Sequence, residues 1–78
     1  MRSIEDQTGV VWDVAVGKES YGSMVLLFFR RDDDEIRRIS IDANSRLEAE
    51  AMMRALDADD LRSRLLAASV LKPAAPAR

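Results

Sequence analysis

The chain has 78 residues, a formal net charge of −2, and neither cysteine nor histidine. That length allows a single domain, and that composition removes disulfides, thiolate metal sites, the commonest metal ligand and the commonest general base. The slightly acidic balance argues against broad attraction to nucleic acid or anionic membrane, although it leaves room for a local basic patch. A domain of this size buries only about 60–65% of the surface its unfolded chain exposes. With disulfide and metal gone, association with another chain is the remaining external support. No apolar run approaches the roughly 20 residues of a membrane span, and Met1-Arg2-Ser3-Ile4-Glu5-Asp6 lacks a signal peptide's apolar core. Cytoplasmic residence is the expectation, and the excess of arginine over lysine with abundant alanine fits the coding bias of a GC-rich bacterial genome.

In chain order, residues 1–7 are polar and read as a loose lead-in. Thr8-Gly9 then opens a strand over Val10–Val16, with Val10, Trp12, Val14 and Val16 on an apolar face and Val11, Asp13 and Ala15 on a mixed one. Gly17–Ser23 reads as a hairpin loop. Its spaced glycines faintly resemble a phosphate-binding loop, but the lysine is missing and a strand follows where that loop needs a helix N-terminus. Met24–Phe29 is six apolar residues in a row and reads as the central strand. Asp32, Asp33, Asp34 and Glu35 then form a solvated turn, without the spacing or glycine of a calcium loop. Ile36–Ile41 is the third strand. A turn centred on Asp33-Asp34 places Arg30 opposite Arg37, Phe28 opposite Ile39 and Leu26 opposite Ile41.

Ser45-Arg46-Leu47-Glu48 matches a capping box and starts a helix to about Leu56. Asp57 caps a second helix over about Ala58–Leu71, with Asp59 and Asp60 in its first turn and Leu61, Leu65 and Ala68 as its stripe. One long helix bent near Asp57 is the alternative. Lys72-Pro73 ends the helical pattern, so residues 1–72 read as one domain and 73–78 as a disordered tail. The order is β-β-β-α-α, an α+β fold: a three-stranded antiparallel meander with two helices packed on one sheet face and Trp12 beneath them.

Helices on one face leave the other uncovered. That face carries Val11, Asp13, Ala15, Val25, Leu27, Phe29, Ile36, Arg38 and Ser40, with Val25-Leu27-Phe29 as an apolar column. Exposed apolar patches of a few hundred Å² mark interaction sites. The expected interface is Val11, Asp13, Val25, Leu27, Phe29, Ile36 and Arg38, with Asp13 and Arg38 fixing the register of a second copy or a larger protein. The competing arrangement splits the helices, one to each face, and makes the column ordinary core. Arg30, Arg31, Arg37 and Arg38 lie at neighbouring strand ends and form the second candidate, weak binding of nucleic acid or another polyanion. No catalytic reading emerges: Ser20, Tyr21 and Ser23 have no evident base, the carboxylates read as caps and turns, and no metal or cofactor is implied.

Overall fold

The computed structural model describes residues 2–74. Its elements are β1 (Arg2–Glu5), β2 (Val11–Lys18), β3 (Met24–Arg30), β4 (Ile36–Ser40), α1 (Arg46–Ala55), α2 (Ala58–Ala67) and β5 (Ser69–Lys72). The fold is α+β, with an antiparallel sheet in the order β1-β2-β3-β4-β5. The sheet therefore has five strands where the hydrophobic pattern predicts three.

Both extra strands lie at edges. In β1 only Ile4 enters the core, so the segment expected as a loose lead-in carries too little apolar signal to read as a strand. Its turn is nevertheless strongly encoded. The Asp6 carboxylate accepts from the Thr8 and Val10 backbone N–H groups and the Thr8 hydroxyl, and Gly9 takes a positive φ of 88°. Arg2 donates to the Met53 and Leu56 carbonyls at the end of α1, where a helix leaves its last carbonyls unpaired and favours a cation. At the other edge, α2 stops at Ala67 and Ala68 turns extended. The residues expected to continue the helix instead form β5, paired antiparallel with β4 through a bulge at Ile36/Arg37. The β-branched Val70 and the approach to Pro73 both favour extended backbone. Pro73 and Ala74 are exposed and irregular, and the remainder of the expected tail, 75–78, lies outside the described residues.

The predicted caps form. Ser45 accepts from the Glu48 N–H and Asp57 from the Asp60 N–H, which starts two separate helices of ten residues each. α1 packs over β2 and β3, and α2 reaches β4 and β1. The core holds Ile4, Trp12, Val14, Val16, Met24, Leu26 and Phe28 from the sheet, and Ala49, Met53, Leu61 and Leu65 from the helices. These sheet residues share one face, so both helices lie on that face and the split arrangement does not occur.

The β3–β4 register differs from the expected one by two residues: Phe28 pairs with Arg37 and Leu26 with Ile39. Arg30 stands opposite Glu35, whose carbonyl accepts from the Arg30 N–H. A slip of two keeps every side chain on its expected face, whereas a slip of one would have exchanged the faces.

Truncating Ile4 to Ala should cost about 2–5 kcal/mol if β1 is a working part of the core. Urea unfolding checks this, since a change within about 0.5 kcal/mol is what an unstructured lead-in would give.

Candidate functional site

Two surfaces stand out, one on each side of the sheet. The open face carries all the expected interface residues. Ser3, Asp13, Phe29 and Ile36 form one row, and Ala15, Leu27 and Arg38 form the next. Val11, Ala15, Leu27, Phe29 and Ile36 are partly exposed, whereas Val25 is only 2% exposed. Its burial has a local cause. Gly17 lies beside it without a side chain, and a Cβ there would stand 2.8 Å from Leu27 Cδ1 and 3.1 Å from Val25 Cγ2. Leu27 therefore leans into the space that glycine leaves. Gly17 serves as a strand residue and not as the expected turn glycine, a role that Gly22 fills with a φ of 96°.

The charged residues of this face are already paired. Arg38 Nη1 donates to Glu19 at 2.6 Å, and in the sheet register this ion pair runs diagonally over Val25. Asp13 accepts from Ser3 and Arg31, and Arg31 also donates to Ser3. The Arg31 guanidinium holds the Asp13 carboxyl below the usual carboxylate range, helped by the Ser3 hydroxyl. Asp13 and Arg38, expected as register-setting charges for a partner, thus meet it as completed ion pairs.

The four hairpin arginines are divided. Arg31 and Arg38 point to the open face, while Arg30 and Arg37 lie on the helix side with Trp12. No single basic patch results. Their surroundings also revise the acidic turn. Asp32 and Asp34 are exposed, but Glu35 is only 8% exposed and receives Arg37 Nε at 2.7 Å and Arg30 Nη1 at 3.5 Å. The guanidinium of Arg37 lies 4.8 Å from the centroid of the Trp12 ring, within cation–π range.

These groups border a cleft of about 310 Å³ between the β1–β2 turn, the β3–β4 hairpin and α2. Val10, Trp12, Leu65 and Leu66 give it apolar walls, and Arg30, Arg37 and Arg62 bring three guanidinium groups to it. Asp6 closes one side. Besides its three turn bonds it accepts from the Trp12 indole N–H at 2.9 Å. That bond, then the Thr8 hydroxyl, hold its carboxyl well below the usual carboxylate range. Sequence reasoning placed Trp12 in the core and missed the cleft. The Asp6-Gln7-Thr8-Gly9 turn signal was legible, but Arg62 and Leu66 reach the site only through the docking of α2. Among the described residues, no three carboxylates converge on a cation site, and no helix is long and apolar enough to cross a membrane.

Comparison of the chain with protein-family models, curated proteins and solved structures gives no match.

Asp6 generates a pH prediction. Its folded pKa is depressed, so its stabilisation is complete above the unfolded value of about 3.9 and is lost as pH falls toward the lower folded value. Asp6→Asn should melt below the wild type at neutral pH, and the gap should narrow once pH drops under about 4. Thermal melts by circular dichroism across the acid range check this.

Proposed function

We propose that the protein is a non-catalytic interaction module whose open sheet face packs on a second copy of itself. An accessory-subunit role in a larger complex would use the same face against another protein. The observation that carries this reading is the one-sided core: both helices pack on the Trp12 face, and among the described residues nothing covers Leu27, Phe29 and Ile36 on the other.

The anatomy of the face supports it. The centre is apolar and its borders hold Ser3, Asp13, Arg31, Glu19 and Arg38, an apolar centre with a polar rim. Each charged group at the rim is matched within its own chain, so two copies can approach without a layer of like charge between them.

Light scattering after size exclusion should therefore give twice the 8.7 kDa chain mass. The dimer should persist over about a hundredfold dilution. Leu27→Glu should remain folded and soluble while running as a monomer. A monomeric wild type at every concentration would remove the self-association reading, and a collapsed Leu27→Glu variant would make the column part of the core.

A further inference from the structure

The cleft over Trp12 lies on the helix side of the sheet, so what it binds is independent of contact through the open face. Its hydrogen-bonding groups are unbalanced. Its carboxylate acceptors are occupied: Asp6 holds four donors, and Glu35 is held by two arginines. The donors are not. A guanidinium carries five N–H groups. Arg37 commits only Nε, to Glu35. Arg30 commits Nε to Asp32 and Nη1 to Glu35, and Arg62 commits Nε to the Glu5 carbonyl and Nη1 to Asp59. Both terminal nitrogens of Arg37, and Nη2 of Arg62, have no hydrogen-bond acceptor among the described residues.

These guanidinium groups are also fixed in place. Arg37 is held between buried Glu35 and the Trp12 ring, and Arg62 is tied to the backbone of β1. Ordering them in advance lowers the entropic cost of binding. Beside them lie Val10, Leu65 and the strongly exposed Leu66, which offer an apolar wall. We propose that the cleft binds a small amphipathic oxyanion: a carboxylate or phosphate monoester on a short apolar body. The oxyanion accepts from Arg37 and Arg62, and the body lies against Leu65 and Leu66.

Two features set the size and charge of this ligand. The cleft volume of about 310 Å³ is at the lower end of small-molecule sites. The carboxylates that face the arginines, Asp6, Glu35, Asp32, Asp33 and Asp59, outnumber the three guanidinium groups and leave no surplus positive field for an extended polyanion. Asp32 and Asp59 are 63% and 92% exposed, so solvent screens them and a single oxyanion is still reached by direct hydrogen bonds.

Trp12 is the one tryptophan of the chain and lines the cleft, so its fluorescence reports occupancy. The full chain is titrated with hexanoate, hexyl phosphate, hexanol and inorganic phosphate. Hexanoate or hexyl phosphate should give a saturable change, with hexanol and inorganic phosphate at least about tenfold weaker. Arg37→Gln and Arg62→Gln should each weaken the anion by about tenfold or more. Far-UV circular dichroism shows whether each variant is folded. Arg62 is the safer position because it lies outside the Trp12–Glu35 cluster. The proposal is overturned if neither amphipathic anion gives a saturable change, if hexanol or inorganic phosphate matches them, or if folded Arg62→Gln binds as tightly as the wild type.

Discussion

An indole is buried at low cost only when its N–H finds an acceptor and its ring is closely packed. Trp12 meets both conditions by drawing on three separate parts of the chain. The β1–β2 turn supplies the Asp6 carboxylate for the N–H. β4 supplies Arg37, whose guanidinium lies over the ring, and the adjoining hairpin supplies Glu35 to hold that guanidinium. α2 supplies Leu61 and Leu65 to the same core. A small domain without disulfides thus ties together its first hairpin, its second hairpin and its last helix through one side chain. The carboxylates at this point are matched, and no buried side-chain nitrogen or oxygen among the described residues lacks a partner. Ordering Arg37 against Trp12 and Glu35 also forms the mouth of the cleft, so the requirement that secures the core shapes the candidate ligand site.

The sheet imposes a second constraint. Two helices of ten residues cover one face of five strands and no more. The chain spends its arginines on fastening this single layer. Arg2 reaches the end of α1, Arg46 reaches the Val16 carbonyl and Arg62 reaches the Glu5 carbonyl. The shortest dimension of the molecule, 19 Å, is that of one helical layer on one sheet. The opposite face keeps an apolar centre outside the main core cluster, and the Arg38–Glu19 ion pair at its margin runs over Val25. This asymmetry is the observation on which the association proposed for the face rests. The exposed edge strand β5, with Val70 and Leu71 each more than half exposed, is a second place where another chain would find apolar surface.

The parts of the fold that were legible share a physical basis. Alternation along Val10–Val16 and the run Met24–Phe29 fixed which side chains share a face, and that assignment survives a two-residue error in the β3–β4 register. Ser45 and Asp57 signalled the helix starts because a capping side chain acts on the N–H groups within its own first turn. The open face was legible for the same reason, since strand parity placed Leu27, Phe29 and Ile36 together. The edge strands were not legible. β1 contributes one core residue, Ile4, and β5 contributes none. What places them in the sheet is ladder hydrogen bonding to a neighbour, which leaves no periodic apolar trace. The burial of Glu35 was hidden by its neighbours, because a run of acids beside a turn reads as solvated until Arg30 and Arg37 are brought to it.

By itself the sequence determined the fold class, the helix starts, the faces of the central strands and the identity of the side chains under the helices. These follow from local spacing and local capping, which act between residues a few positions apart. Only the tertiary structure decided that both helices lie on one face, that β1 and β5 extend the sheet, and that Asp6, Trp12, Arg37 and Arg62 meet around a cleft. Those outcomes depend on contacts between segments distant in the chain, as when Arg62 of α2 reaches the Glu5 carbonyl of β1. No local pattern encodes the angle at which a helix docks on a sheet. That angle is set by how the side chains pack.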